Sequence, residues 1–490
     1  MSVVIVVDNP ETWPLDIPGV GVVSARDYIT EASLADERGV KVFNLCKSHR
    51  YQALGYYVSL LAEARGHKPL PSVTTIQDLK SLSMIRFAAE GLEDVIQQSL
   101  SHIQSTEFTL SVYFGQNMAK RYDRLCKALF NLFPAPLLRA QFRYGEQRWH
   151  LEGVEAISAG DIPDLHRSFV EWAAGEYFSG RKKIRGKPQE KGYDLAILYN
   201  PDATDKPSTN NSIKLFVKAA KQVGFNVEML DRDDYGKIAE FDALFIRETT
   251  SVNHHTYRFS RRAAAEGLAV IDDPTSILRC SNKVYLHELF DANDIPCPRT
   301  MIVHQGNKDE VLGSLGLPCV LKRPDSSFSQ GVIKVADAER LEKELAEFLE
   351  RSDLVIAQEF MPSAFDWRIG VLDRKPLFAC RYHMVKGHWQ IVGTDKKGER
   401  DFGKVEAVPL DLAPKKVVST AVRAANLIGD GLYGVDLKQV DSRVVVMEIN
   451  DNPNVDHGYE DVILGEQLFV TIVQSLMDRV KRIKEGKANP

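Results

Sequence analysis

Apolar positions in the first third of the chain alternate between two spacings. Short apolar runs are typical of buried strands, whereas apolar residues three and four apart are typical of a helix that packs on one face. The runs predict strands over residues 3–7, 40–45, 108–114 and 142–151, and the helical spacing predicts helices over 51–65 and 94–103. Strands that alternate with helices predict an α/β domain over residues 1–180.

The next segment, RKKIRGKPQEKG over residues 181–192, has no apolar period and combines basic residues with glycine and proline. This composition predicts a solvated linker. From residue 193 a compact strand–helix–strand pattern follows, which predicts a smaller α/β domain over residues 193–275. Residues 276–480 then mix helices and strands without regular alternation, as in an α+β domain. The predicted fold class is a multidomain chain of α/β and α+β domains.

Composition and charge narrow the classes of protein to which the chain can belong. Of its 490 residues, 44% are hydrophobic and 26% are charged, which is typical of a soluble globular protein. The net charge of −5 argues against nucleic acid as a partner, and no apolar run approaches the length of a membrane span. The cysteines are scattered and the first apolar run is too short for a signal peptide, so a cytoplasmic location is expected.

A polar cluster near the C-terminal end carries candidate metal chemistry. The segment GVDLKQVDSRVVVMEINDNPNV over residues 434–455 holds two apolar runs separated by a turn-like Asp-Ser pair, which predicts a β-hairpin. In that hairpin Asp436 lies nearly opposite Glu448, and Asn450 shares a face with Glu448 because side chains alternate along a strand. Two carboxylates and one amide suit magnesium held between protein and nucleotide phosphates. The alternative is the exposed polar edge of an ordinary hairpin.

Candidate contacts for phosphates and a purine lie upstream of this hairpin. Lys322 follows an apolar strand, and the hydroxyl-rich loop PDSSFSQ separates it from Gly331, an arrangement that can fold over phosphates. Lys283 is a second candidate cation for phosphate. Residues 358–360, Gln-Glu-Phe, end another apolar strand, where a purine can form hydrogen bonds with the exposed backbone. Taken alone, each of these features is also typical of ordinary protein surface.

In their order along the chain, these features resemble one family. The order and spacing of an ATP-grasp ligase of the RimK type are matched by Lys283, VLK at 320–322, QEF at 358–360, DWR at 366–368, Arg381, VD at 435–436 and MEIN at 447–450. The resemblance covers residues 193–475 and implies a pre-ATP-grasp domain over 193–275 and a two-lobed ATP-grasp fold over 276–480. Residues 41–72 resemble the RimK-like ATP-grasp N-terminal domain that is fused to such ligases.

The resemblance implies a role for each matching residue. Asp436, Glu448 and Asn450 are implied to hold two magnesium ions, with manganese as an alternative. Arg368 and Arg381 are implied to face the γ-phosphate and the substrate carboxylate, and to act in catalysis. The residues implied to bind ATP are Lys283, Lys322, Ser326, Ser327, Ser329, Gly331, Gln358, Glu359, Phe360 and Asp366.

The sequence departs from the family pattern at two places. The phosphate loop offers a single glycine, Gly331, so phosphate contacts are expected to rely on its serines. After the last metal candidate many relatives continue N-x-S/N-P-G, whereas here Asn450 is followed by Asp-Asn-Pro-Asn at 451–454. The second departure leaves open a different substrate side of the site.

The resemblance implies an ATP-dependent, ADP-forming ligase that joins a carboxylate to the amine of an amino acid or peptide through an acylphosphate. The implied partners are an amino acid such as glutamate and a small carboxylate, peptide or protein, and a homodimer is an option. Two alternatives stay open. One is phosphoryl transfer of the ATP-grasp kinase type, and the other is an ATP-binding module whose N-terminal domain binds a partner.

Candidates for substrate contacts are less specific. Arg247 lies in the apolar strand DALFIR, and a buried arginine is expected to have an anion or carboxylate partner. Residues 47–51 follow a predicted strand, at the end where open α/β sheets bind ligands; the alternative is an ordinary helix start capped by Ser48. Basic and aromatic residues also cluster after Arg381, where ordinary strand and loop surface is an equal alternative. These are His383, Lys386, His388, Trp389 and Arg400.

Overall fold

A computed structural model gives the fold of the chain. It describes residues 3–17, 19–30, 40–82, 85, 92–179, 192–325, 331–385, 389–394 and 400–485, with the backbone alone at 392–394 and 400–402. Two compact units are present, one of residues 1–192 and 233–240 and the other of residues 193–232 and 241–490. Across the described ranges, every helix is too short or too polar to cross a membrane.

The first unit contains a parallel sheet and an antiparallel sheet. Its strands are β1 Val3–Val7, β2 Gly21–Ser24, β3 Lys41–Asn44, β4 Lys68–Leu70, β5 Glu107–Tyr113, β6 Leu137–Gly145 and β7 Arg148–Ala156. The parallel sheet has the order β2-β1-β3-β4, and the antiparallel one has the order β5-β6-β7. Its helices are Ala25–Thr30, Leu54–Ala64, Val73–Asp78, Glu93–Leu100, Asp123–Leu132 and Arg167–Ser179.

One strand predicted in this unit is in fact a hairpin. The apolar alternation over residues 142–151 continues through a turn, where Glu146 and Gln147 both have positive φ (52° and 64°) and separate β6 from β7. Two residues with positive φ match the twist of a tight hairpin turn. The sequence signal was missed because neither residue is glycine or asparagine.

The segment after β3 differs from the simplest expectation. The Lys47 backbone N–H donates to Asp8 Oδ2, which follows β1, at 2.6 Å. Ser48 Oγ accepts from the Arg50 backbone N–H at 3.3 Å instead of capping the helix Leu54–Ala64, whose first turn has no side-chain cap. Capping by Ser48 is therefore not what the structure shows.

The second unit begins with a parallel sheet. Its strands are β8 Tyr193–Leu198, β9 Phe225–Leu230, β10 Ala243–Ile246 and β11 Ala269–Ile271, in the order β11-β10-β8-β9. Its helices are Asn210–Val223, His255–Ala265, Pro274–Cys280 and Lys283–Ala292. β10 and β11 are wholly apolar and buried, as in a parallel sheet that helices cover on both faces, whereas the edge strand β9 includes Asn226 and Glu228.

A small antiparallel sheet follows. Its strands are β12 Thr300–Val303, β13 Cys319–Lys322, β14 Val332–Val335 and β15 Val355–Glu359, in the order β12-β15-β13-β14. Its helices are Val311–Leu315 and Ala338–Arg351. The longer helix buries Leu341, Leu345 and Phe348 against one face of the sheet. The other face carries Lys322 and Gln358, because side chains alternate along each strand.

A larger antiparallel sheet completes the unit. Its strands are β16 Phe365–Leu372, β17 Lys375–His383, β20 Val405–Val408, β21 Leu432–Val440 and β22 Arg443–Asn450, in the order β20-β17-β16-β21-β22. A separate ribbon pairs β18 Val392–Thr394 with β19 Arg400–Phe402. The helices are Lys415–Ile428 and Glu466–Lys484.

The two faces of this larger sheet differ in polarity, and the difference positions the site. Trp367, Ile369 and Val435 are buried in one apolar core with residues of the helix Lys415–Ile428. The alternate residues of the same strands, among them Arg368 and Asp436, therefore lie on the other face. That face lines a cleft.

Candidate active site

The cleft has a volume of about 350 Å³ and lies wholly within the second unit. The small sheet contributes residues of β13 and β15, and the larger sheet contributes residues of β16, β21 and β22. Sequence-predicted residues that line it are Lys283, Lys322, Gln358, Glu359, Phe360, Asp366, Arg368, Asp436, Glu448 and Asn450.

Three oxygen-bearing side chains meet on the hairpin formed by β21 and β22. Asp436 pairs directly with Glu448 and Gly434 pairs with Asn450, so these side chains occupy one face. The Asn450 amide donates to Asp436 Oδ2 at 3.2 Å. No described part of the chain brings together three or more His, Cys, Asp or Glu side chains placed to hold a metal ion. Two carboxylates and an amide oxygen nevertheless fit magnesium, whose remaining positions are commonly filled by phosphate and water.

Gly434 is required for the close packing of this hairpin. A Cβ added at Gly434 would lie 2.7 Å from Pro453 Cβ, far inside normal contact distance. Pro453 belongs to the loop that follows Asn450, so the missing side chain lets that loop return over β21.

The acidic residues of the cleft form ion pairs with basic ones. Arg368 donates from Nε and Nη2 to both oxygens of Asp436, each at 2.7 Å. Lys283 Nζ lies 3.1 Å from Glu448 Oε1. Burial raises the pKa of Asp436 despite the nearby Arg368. Burial also acts to raise the pKa of Glu448, but Lys283 and Lys322 together hold it below its ordinary value.

Lys322 is a cation of the cleft whose pKa is altered by burial. Its Nζ donates to Gln358 Oε1 at 2.7 Å, and the Gln358 amide donates to Thr300 Oγ1 at 2.9 Å. Burial lowers the pKa of Lys322 to about 8, although Glu448 acts in the opposite direction. The ammonium thus has a neutral hydrogen-bond partner and a carboxylate within electrostatic range.

The segment 358–360 presents main chain and one aromatic ring to the cleft. The Glu359 carboxylate accepts from Arg299 Nε at 2.9 Å and from Arg443 Nη2 at 2.7 Å. Although burial acts to raise it, these arginines hold the pKa of Glu359 below its ordinary value. Phe360 stacks under the Lys334 ammonium at 3.8 Å from the ring centroid. Glu359 therefore offers the cleft its backbone, since its carboxylate is engaged elsewhere.

Lys438 is a cleft residue that the sequence reasoning missed. It donates to Asp366 Oδ1 and to Ser363 Oγ, each at 2.6 Å. Lys438 lies two residues after Asp436 on β21, so strand alternation alone would have placed it on the same face. That spacing was the available signal.

Arg381 lies outside this cleft lining. It pairs with Trp367 across β16 and β17, which puts it on the face opposite Arg368. Its guanidinium stacks over Trp367 at 4.8 Å and over Phe365 at 5.1 Å, and lies 3.7 Å from Glu406. The expectation that Arg381 faces the γ-phosphate does not agree with this placement. Arg381 shares the face of its partner Trp367, and side chains alternate along β16, so Arg368 lies on the other face.

Some of the remaining predicted residues have described side chains, and the others do not. Gly331 precedes β14 with φ of 64° and its carbonyl accepts from the Arg323 backbone N–H at 3.0 Å, away from the cleft lining. His383 lies 3.2 Å from Glu406. Trp389 lines the cleft beside Phe360, at 5.8 Å between ring centroids. Predicted positions outside the described residues, or without a described side chain, are Ser326, Ser327, Ser329, Lys386, His388 and Arg400.

Arg247 is buried, as predicted, but its hydrogen-bond partners are neutral. It donates to the carbonyls of Pro207 and Pro453, at 2.6 and 2.9 Å, and to Asn452 Oδ1 at 2.7 Å. Burial lowers the pKa of Arg247 to about 10. Its direct hydrogen bonds go to backbone and amide oxygens that hold the loop after β22, whereas the carboxylates of Asp272, Asp456 and Glu460 act at longer range to raise its pKa.

Comparison with known proteins identifies the two main parts of the chain. Residues 25–173 match the family model described as the RimK-like ATPgrasp N-terminal domain, and residues 280–468 match the RimK-like ATP-grasp domain. The chain is similar to the probable alpha-L-glutamate ligase of Vibrio vulnificus (strain YJ016), with 25% identity over 224 residues, 45% of this chain and 71% of that protein. The corresponding protein of Teredinibacter turnerae is 25% identical over 229 residues, 46% of this chain and 73% of that protein.

Solved structures of ATP-grasp proteins are also similar. A RimK domain ATP-grasp protein from Sphaerobacter thermophilus aligns with a TM-score of 0.45 at 17% identity, over 58% of this chain and 98% of that one. The D-alanine–D-alanine ligase of Bacillus anthracis aligns with a TM-score of 0.46 at 13% identity, over 61% of this chain and 100% of that one. Residues 25–173 therefore belong to the RimK-like ATP-grasp N-terminal domain family and residues 280–468 to the RimK-like ATP-grasp domain family, whose relatives described above are named as ligases.

Proposed function

We propose that the chain is an ADP-forming ligase that joins a carboxylate to the amine of an amino acid or peptide through an acylphosphate. The observation that carries the proposal is that oxygen-bearing side chains suited to a metal ion and lysines suited to phosphate line the same cleft. Asp436, Glu448 and Asn450 lie there on one sheet face, together with Lys283 and Lys322. This combination suits a nucleotide triphosphate, whose phosphates need cations and whose metal needs oxygen ligands.

The contacts of the cleft suggest where each part of ATP binds. Lys283 and Lys322 contact phosphates, and the backbone at 358–360 bonds to the adenine beside Phe360. Asp366 contacts the ribose or a phosphate. Phosphate contacts by Ser326, Ser327, Ser329 and Gly331 also form part of this proposal, and they rest on the sequence alone.

Asp436, Glu448 and Asn450 hold magnesium in this proposal, with two ions as the expected number and manganese as an alternative. When bound, the metal neutralises charge on the β- and γ-phosphates and favours phosphoryl transfer. Arg368 is the catalytic arginine in this proposal, because it lines the cleft and its guanidinium donates to Asp436. Arg381 is omitted from the catalytic set because of the sheet face that it occupies.

The reaction divides into two balanced steps. A carboxylate oxygen of the substrate attacks the γ-phosphorus, the bond to the β-phosphate oxygen breaks, and ADP leaves. The amine nitrogen then attacks the acyl carbon, the carbon–oxygen bond to phosphate breaks, and the amide, inorganic phosphate and a proton are released. Positioning and charge neutralisation dominate the first step, since phosphoryl transfer needs little covalent help from the protein. L-Glutamate, which the names of the relatives give as their substrate, is the first amino acid to test.

The test is ADP release by the full chain with ATP and magnesium, measured against pairs of carboxylates and amino acids that include L-glutamate. We expect release to require both members of a pair, with an amide of the matching mass as product. Glu448→Gln should lower turnover by about a hundredfold or more, as loss of charge stabilisation commonly does. Glu406→Gln is the matched control, since Glu406 lies on the other face of the same sheet.

Two results would contradict the proposal. Wild-type ADP release by a folded Glu448→Gln protein would remove Glu448 from the metal site. A phosphorylated acceptor without an amide would favour the kinase-type alternative.

A further inference from the structure

One wall of the cleft is polar but carries little charge. It is formed by the loop after β10, residues 249–251, and by the loop after β22, residues 451–454. The side chains there include Thr249, Thr250 and Ser251, which offer hydroxyl groups, and Asn452, which offers an amide. Hydroxyl and amide oxygens can accept hydrogen bonds from a cation or an amine without imposing a charge of their own.

Asp451 is the charged residue of this wall. It lines the cleft, is 6% exposed, and its Oδ2 accepts no hydrogen bond from any described residue. No ion pair with Asp451 is found among the described side chains, whereas the carboxylates of Asp366, Asp436 and Glu448 each pair with a lysine or arginine. A buried carboxylate with an unused acceptor is costly unless a donor reaches it.

The loop that carries Asp451 is held firmly. Arg247 donates to Asn452 Oδ1 and to the Pro453 carbonyl, and the Asn452 amide donates to the Glu248 carbonyl at 2.6 Å. The Val455 backbone N–H donates to the Pro207 carbonyl at 3.1 Å. Asp451 is thus fixed in place one residue after Asn450, a candidate ligand of the metal. A binding group fixed in advance loses little entropy when its ligand arrives.

We infer that Asp451, with the hydroxyl groups of residues 249–251, binds the amino group of the acceptor substrate. The inference rests on the proposed function, which requires an amine close to the phosphoryl-transfer site. An amino group offers N–H donors to the carboxylate and the neighbouring hydroxyls, and a positively charged one offsets the buried charge of Asp451. The ligand class is therefore a primary amine of an amino acid or peptide N-terminus.

The experiment compares amino acids with their deaminated analogues. Binding of L-glutamate against glutarate, L-aspartate against succinate and L-alanine against propionate is measured by calorimetry on the full chain with magnesium and a non-hydrolysable ATP analogue. In the wild type we expect at least one amino acid to bind about tenfold more tightly than its analogue. Asp451→Asn, which keeps the size of the side chain, should bring that ratio close to one and leave affinity for the ATP analogue unchanged.

Two further variants make the result specific. Asp325→Asn removes another acid of the cleft lining that is remote in sequence from this wall, and it should keep the amine preference. Thr250→Val removes one hydroxyl at constant size and should lower the preference severalfold, which provides a test if Asp451→Asn does not fold. Absence of an amine preference in the wild type would overturn the inference. So would an amine preference that survives in folded Asp451→Asn. If Asp451→Asn does not fold, a preference that survives in Thr250→Val would overturn it.

Trapping with hydroxylamine separates this inference from the proposed function. Hydroxylamine captures an acylphosphate as a hydroxamate and does not depend on the amino-group site. Hydroxamate formation by the wild type together with a lost amine preference in Asp451→Asn supports both claims. Absence of hydroxamate and of ADP release with every carboxylate contradicts the proposed function, whereas hydroxamate without any wild-type amine preference contradicts the Asp451 site alone.

Discussion

At the scale of single residues, the two arginines of the larger sheet have different surroundings. Arg368 bonds to both oxygens of Asp436 in the cleft and stacks on Tyr382 at 4.7 Å. Arg381 stacks on Trp367 on the other face. The sequence motifs predicted a catalytic role for both arginines, but strand alternation places their side chains on opposite faces of the sheet.

This difference gives the first residue-scale prediction. Arg368→Lys should lower ADP release at saturating substrate by about tenfold to a hundredfold, because lysine cannot reproduce a bidentate contact. Arg381→Lys should retain turnover within about twofold, because it keeps the charge on a face away from the cleft. Thermal unfolding of both variants provides the control for folding. Equal losses of turnover in the two folded proteins would contradict the assignment of Arg368 alone to catalysis.

Lys322 leads to a prediction about pH. Burial places its pKa at about 8, so in the free protein its positive charge is present below pH 8 and lost above it. Affinity for the ATP analogue should therefore fall as the pH rises through 8, by about tenfold if one charge-assisted contact is lost. Lys322→Arg should bind with little change over the same range because arginine stays charged. Calorimetry on both sides of pH 8 measures the effect, and a flat wild-type profile would contradict it.

At the scale of elements, the hairpin of β21 and β22 was predictable in detail. The alternation of apolar residues fixed the face shared by Glu448 and Asn450, and the directly opposed pair Asp436 and Glu448 agrees with the prediction. The partner strand β16 was not predictable from this pattern, because the pairing of distant strands depends on packing between segments. The contact of Arg368 with Asp436 follows from that pairing, and the sequence could not specify it.

Close packing within this hairpin gives an element-scale prediction. Gly434→Ala should destabilise the protein by about 1–3 kcal/mol, because the new Cβ would overlap Pro453. Gly313→Ala is the matched control: it lies in the helix Val311–Leu315 with nothing within 4 Å of its added Cβ. The control should be neutral or more stable by up to about 1 kcal/mol. Chemical unfolding measures both, and a stable Gly434→Ala protein would show that the loop after β22 can move.

At the scale of the whole molecule, the order of the parallel sheet in the first unit could not be read from the sequence. The apolar runs predicted β1 and β3 as strands. They did not predict that β3 pairs with β1, which requires β2 to lie on the opposite edge of β1. From β1 the chain continues to β2 on one side and later to β3 on the other, so the strand order changes direction between β1 and β3. The hydrogen bond from the Lys47 backbone N–H to Asp8 joins the segments that follow these two strands. Open α/β sheets bind ligands at such a point.

The family match over residues 280–468 and the cleft describe the same part of the chain, since most residues that line the cleft fall within that match. Sequence motifs were sufficient to identify the ATP-grasp domain because its candidate metal ligands, Asp436, Glu448 and Asn450, lie on short strands with regular alternation. Substrate contacts were less predictable. The contacts proposed above involve the loops after β10 and β22, which are far apart in sequence and meet only in the folded unit.

Oxygen transfer from the carboxylate substrate to phosphate is the direct signature of an acylphosphate intermediate. The carboxylate of an acid that supports ADP release is labelled with heavy oxygen, and the released inorganic phosphate is analysed by mass spectrometry after turnover with the amine. An acylphosphate intermediate predicts one labelled oxygen in the phosphate for each amide formed, because the carbon–oxygen bond breaks when the amine attacks. Unlabelled phosphate released together with the amide would contradict activation of the carboxylate by phosphoryl transfer.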